Sequence, residues 1–215
     1  MAENNKAQIL RKDIANPKGT TGSFLELLND SFGIGKVHLR LVNYDTAAEK
    51  GSRQTARIDV FVDAWEWLQK TNEVRIHATE KALLKAKEAE TYEPVWSVMG
   101  GVSAEALKAR GQERPDGKAL SRTLAVTWGK KYPVVVTARS GPGEQNDKGL
   151  IVPKYGNKPE QAVLIPLSYD DFMEVMIAGE ESYRAYLVYY YAHEKPFLRE
   201  NNGGEKNGKA PQTHY

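Results

Sequence analysis

Two stretches 105 positions apart make the same transition: Arg57 to Gln69, "RIDVFVDAWEWLQ", and Ala162 to Glu174, "AVLIPLSYDDFME". Each sets apolar residues at every second position, passes a single polar residue, Asp63 or Ser168, and then changes to helical spacing with a large apolar residue, Trp67 or Phe172, one turn further on. Period two is the signature of a strand with one buried face, and period 3.6 that of a helix. Asp and Ser are both strong helix N-caps. A strand that passes directly into a helix buries its apolar face when the helix folds back over the sheet. Two such transitions in one chain predict an α+β fold built as an internal pseudo-repeat, curved antiparallel sheets each followed by a helix.

The surrounding pattern fills in the two units. "KVHLRLVNY" alternates Val37, Leu39 and Leu41 against His38 and Arg40, and with Thr55 to Val62 it reads as a hairpin joined by "DTAAEKGSRQ". Ahead of it, "SFLELLNDSFGIG" reads as a short helix with Ser23 as N-cap and Gly33 near its stop. "HATEKALLKAKEAE" reads as exposed helix, "YEPVWSVMGG" as a strand, and "SAEALKARG" as a short helix before a Pro-Asp-Gly turn. "SRTLAVTWG", "YPVVVTARS", "KGLIVPK" and "QAVLIPLS" are short runs between tight turns, which predicts an antiparallel meander. "EESYRAYLVYYYAHEK" is apolar nearly all round; as a helix from Ser182 to Ala192 it belongs in a core or between subunits, and a strand over "YLVYYY" stays open. The expected organisation is a flexible arm over 1–22, one domain over 23–197 with units at about 36–90 and 118–192, and a disordered tail over 198–215.

With 40% hydrophobic and 27% charged residues the chain can build a core, and no apolar run reaches the roughly 18–20 residues of a membrane span. The absence of cysteine excludes disulfides, thiol nucleophiles and thiolate metal sites, and with no signal-peptide pattern the expected setting is cytoplasmic. The net charge of +2 averages two opposed blocks: eight Lys/Arg against two Asp/Glu from Gly117 to Lys158, then six acids and no base from Pro159 to Ser182. Such segregation bears on partners rather than on fold.

No phosphate loop, dinucleotide fingerprint, zinc-protease or nucleophile-elbow motif is present, and His38, His77, His193 and His214 are scattered. No catalytic residue, metal ligand or cofactor is therefore expected. Asp170 and Asp171 follow the cap Ser168 and suit the positive end of a helix, and "SGPGEQNDKG" reads as a hairpin tip. What remains is basic and aromatic: Trp128, Lys130, Lys131 and Tyr132 at one turn, with Arg122, Arg139, Lys148, Lys154 and Tyr155 on or beside the adjoining strands, and Arg40 and Arg57 on the first hairpin. Cations that follow phosphates and aromatic faces that accept unpaired bases are the ingredients of a single-strand site.

On "KGLIVPKYGNKPEQAVLIPLSYDDFMEV" and "ARIDVFVDAWEWLQ" the chain resembles the Whirly proteins and the positive-cofactor-four type of transcriptional coactivator, over about Lys36 to Tyr191. It is also similar to single-strand-binding proteins of conjugative transposons. The resemblance implies binding of single-stranded DNA, with RNA as the alternative strand, in replication, recombination or transfer of a mobile element. It also implies homo-oligomers built through helices, for which Tyr183, Tyr186, Leu187 and Tyr190 are the candidate contacts. A non-catalytic interaction or structural component of a mobile element or phage is the alternative function.

Overall fold

The strand-to-helix transition occurs twice, as its sequence requires. In a computed structural model, which describes residues 8–15 and 20–193, strands β1 (Gln8–Ala15), β2 (Thr21–Leu28), β3 (Lys36–Asp45) and β4 (Gln54–Asp63) form an antiparallel meander in chain order. Helices α1 (Ala64–Arg75) and α2 (Ala78–Glu88) follow. The second unit runs β5 (Trp96–Val102), α3 (Ala104–Ala109), β6 (Ala119–Thr127), β7 (Val134–Gln145), β8 (Ile151–Pro153), β9 (Gln161–Leu167) and α4 (Tyr169–His193). Strand β7 is long enough to take two neighbours on one side, β9 along Val134–Ser140 and β8 along Gly143–Gln145. Each sheet is thus four strands wide and ends in a helix.

The caps explain why the chain turns where it does. The Asp63 carboxylate accepts the Trp65 amide at 2.9 Å, and the Ser168 hydroxyl accepts the Asp171 amide at 3.0 Å while donating to the Asp171 side chain. Trp67 and Phe172, four residues past their caps, are both buried.

Alternate residues of the two sheets meet in one core. Leu39, Leu41, Ile58 and Val60 of the first share it with Leu124, Val126, Val136 and Ile165 of the second. Strand β9 is an edge, where the N–H that Pro166 lacks is not needed. Two carbonyls of that edge are capped from the first sheet: Ser23 donates to Leu164 O and Asn43 Nδ2 to Ala162 O. Helices α1 and α4 pack on each other: the Tyr169 hydroxyl at the start of α4 donates to Val74 O near the end of α1, and Trp67 and Thr71 of α1 both donate to Met176 O. Buried Glu180 joins them further, meeting Arg75 Nη1 as an ion pair without hydrogen-bond angles and accepting from Arg184.

Four expectations from the sequence are corrected. Residues 8–15 of the expected arm are a strand that pairs with β2, so the first unit begins well before residue 36; the second likewise begins at β5 rather than near residue 118. "SFLELL" is strand, not helix: Leu25 and Leu27 point to the core while Phe24 and Leu28 are buried on the other face, and a strand buried on both faces loses its alternation. The short turn Phe32–Ile34 is all that is helical there. The segment "YLVYYY" is helical, but it continues one 25-residue helix, α4, rather than forming a separate one. The expected tail at 198–215 lies outside the described residues.

Candidate nucleic-acid interface

On the face of the first sheet turned away from the core, charges are matched. Asp59 accepts from Arg40 Nε at 2.8 Å, from Arg57 Nε at 2.9 Å and faces His38 Nε2 at 2.9 Å, while Arg40 also reaches Glu26. His38 is buried, with its other ring nitrogen 2.7 Å from Asp30, and it stacks on Phe61. Burial alone would raise the Asp59 pKa, but the hydrogen bonds from His38, Arg40 and Arg57 outweigh it and hold the carboxyl well below the usual carboxylate range. Arg40 and Arg57, both candidates from the sequence, are therefore neutralised within the fold.

Four of the six acids after Pro159 are consumed in the same way. Asp171 and Glu174 hold Lys12 of β1, Glu180 holds Arg75 and Arg184, and Glu160 holds Arg114. None of these acids reaches the basic block before it. Lys154 pairs with Glu144, inside that block. Among the described residues Arg122, Lys130, Lys131, Arg139 and Lys148 have no ion pair, so the basic surplus read from the sequence survives folding on the second unit.

These cations do not share one surface. In the β6–β7 register Arg122 lies opposite Ser140 and Arg139 opposite Thr123, which places the two arginines on opposite faces of the sheet. Arg139 is on the face away from the core, beside Tyr155, whose hydroxyl is 3.4 Å from Thr123 Oγ1 and whose ring lies over Gly141. Tyr155 is thereby a packing residue. Lys130 and Lys131 project from the β6–β7 turn, closed by the Gly129 amide donating to Tyr132 O, with the Lys131 ammonium 5.3 Å from the centre of the Tyr132 ring.

Trp128 is not the exposed platform that its position beside Lys130 suggested. It is buried, and its indole N–H donates to Thr91 O. The exposed ring at that turn is Tyr92, stacked on Trp128 with centroids 4.7 Å apart. Tyr92 opens the segment that reads as a strand in the sequence, but β5 begins four residues later at Trp96, and nothing marks Tyr92 as an exposed ring.

The other face leads into a groove of about 560 Å³ between the two free sheet edges, β4 and β5. Arg122 lines it, with Phe61 on one wall, Met99 on the other, and Arg110 and Leu150 beside them. Burial depresses the Arg122 pKa; the charge of Asp59 opposes this, and those of Arg57 and Arg110 add to it. A guanidinium does not give up its proton near neutral pH, so this cation is held partly desolvated without a hydrogen bond.

At the helical end, Tyr183 and Tyr186 pack on Phe32, and Tyr190 continues their stack. Leu187 is half-buried, whereas Val188 and Tyr189 are 72% and 57% exposed. No helix among the described residues is long and apolar enough to cross a membrane. Comparison with family models, with characterised proteins and with solved structures returns no match for this chain.

Proposed function

We propose that this chain is a non-catalytic protein that binds single-stranded DNA with little sequence preference, taking its phosphate contacts from the second sheet unit. The observation that carries the reading is a contrast among the candidate cations on the two sheets: Arg40 and Arg57 on the first are ion-paired, and Arg122, Lys130, Lys131, Arg139 and Lys148 on and beside the second are not. Unpaired cations release counterions when phosphates arrive, whereas paired ones must first give up a carboxylate. Tyr92 and Phe61, both exposed, supply ring faces for unpaired bases. Anisotropy of a labelled single-stranded oligonucleotide, titrated with the protein at several salt concentrations, tests the reading. Binding should weaken steeply with salt and exceed that for the matching duplex; equal affinity for both, or none at low salt, rejects it.

A second reading, a protein-interaction component, is favoured by the exposed Val188 and Tyr189 on α4. Folded protein that self-associates yet holds no oligonucleotide selects it.

A further inference from the structure

The groove between β4 and β5 is small, cationic at depth and apolar along its walls. Its volume of about 560 Å³ lies in the range of small-ligand pockets, roughly 300–1,000 Å³, and is too little for a strand of several nucleotides. Its cations are Arg122, Arg110 and Lys36, the last paired with Asp63, and Arg57 is close enough to be felt by Arg122. The one carboxylate among the lining residues, Asp59, already serves His38, Arg40 and Arg57. The surplus is positive, and an anion entering would find in Arg122 a guanidinium whose five N–H donors hold no protein acceptor. Phe61, 40% exposed, lines the groove and is backed on one side by the His38 ring at 4.4 Å, which fixes it. Opposite Arg122 in the register stands Gly100, where a Cβ would meet nothing within 4 Å, so the space above β5 is open.

We infer that this groove is a discrete pocket for a single nucleotide unit, its phosphate held by Arg122 and Arg110 and its base stacked on Phe61. The inference rests on the single-strand reading for the class of ligand, but it assigns a site separate from the Lys130–Lys131 turn and the Arg139 face. A discrete pocket requires that a free mononucleotide bind without a neighbouring nucleotide, and that both its halves contribute.

The test titrates the full-length protein with deoxyadenosine 5′-monophosphate, followed by calorimetry, with deoxyadenosine and inorganic phosphate as separate probes. The monophosphate should bind more tightly than either half. Arg122→Gln should abolish the gain from phosphate, and Phe61→Leu should weaken the monophosphate by about fivefold or more, the loss of one stack. Gly100→Leu provides a variant that removes neither, because a Cβ there meets nothing within 4 Å, and it should block the pocket in a protein that is still folded by circular dichroism. Monophosphate binding unchanged in folded Gly100→Leu and Arg122→Gln protein overturns the inference. So does inorganic phosphate binding as tightly as the monophosphate. If the oligonucleotide binds and the monophosphate does not, the pocket is wrong and the single-strand reading stands; if neither binds, both fall.

Discussion

Trp67 closes against Gly179: a Cβ at residue 179 would stand 2.6 Å from the indole Nε1, and the ring cannot retreat because that nitrogen donates to Met176 O at 2.9 Å. The contact joins the helix of one unit to the helix of the other. Gly179→Ala gains about 1 kcal/mol of helix propensity but overpacks by about 1–3 kcal/mol. The expected balance is a loss of up to about 2 kcal/mol and a Tm lower by up to about 8 °C. A Tm that rises would show that the two helices can move apart freely.

Asp59 makes the first unit sensitive to acid. Its pKa is depressed in the fold, so its contribution is complete above the unfolded carboxylate value of about 3.9 and is lost as pH falls through the lower folded value. Asp59→Asn should cost roughly 3 kcal/mol near neutral pH, the low end for a buried pair broken on one side. The gap between variant and parent should narrow below about pH 4 as the parent carboxyl protonates. Urea midpoints measured for both proteins across that range check it; a gap that stays constant would mean Asp59 acts by shape and not by charge.

Salt separates the cations that folding neutralises from those it leaves free. Lys131→Ala and Arg139→Ala should each reduce the magnitude of the log K against log salt slope by about 0.7, one single-strand phosphate contact. Arg57→Ala should leave the slope nearly unchanged, because Arg57 is bound to Asp59 in the free protein. Equal slopes for all three variants would remove the distinction on which the binding surface rests.

How much of this was legible in the sequence depends on how many faces each element buries. Strands β3, β4 and β9, half-buried at the alternating positions, showed period two, and the caps Asp63 and Ser168 marked where it ended. Strand β2 was hidden because Phe24 and Leu28 are buried opposite Leu25 and Leu27, giving apolar spacing that also fits a helix. Strand β1 was hidden by Lys12, a cation at a core-side position that reaches Asp171 and Glu174 on α4. The basic block was visible as composition, but its division between two sheet faces follows from register, which depends on partners far away in sequence. The pairing of the acidic block with Lys12, Arg75 and Arg114 was equally a matter of tertiary contact. The edge groove has no local pattern at all.

The exposed end of α4 gives a prediction about association. Val188 and Tyr189 would lose apolar surface to water-free contact only against another copy or partner. Sedimentation velocity should show a larger species for the parent chain and a shift toward monomer for Val188→Glu with Tyr189→Lys. Both substitutions fall on exposed positions, so the helix should survive them. A parent that sediments as a monomer at all concentrations ends the oligomer proposal.

The Trp128 and Tyr92 pair separates folding from binding at the β6–β7 turn. Trp128 lies in the core with its indole N–H bonded to Thr91 O, so Trp128→Ala should cost about 3–5 kcal/mol and lower affinity only by unfolding the protein. Tyr92 is mostly exposed and touches the fold through one stacked face, so Tyr92→Ala should cost no more than about 1.5 kcal/mol of stability. If its outer face receives a base, the same substitution should weaken oligonucleotide binding by about 1–3 kcal/mol and leave the salt slope intact, because stacking displaces no counterion. Thermal melts and anisotropy titrations on the same samples separate the two effects. Full affinity in folded Tyr92→Ala protein would leave the turn with lysines alone, and would move the search for a stacking ring to Phe61 in the groove.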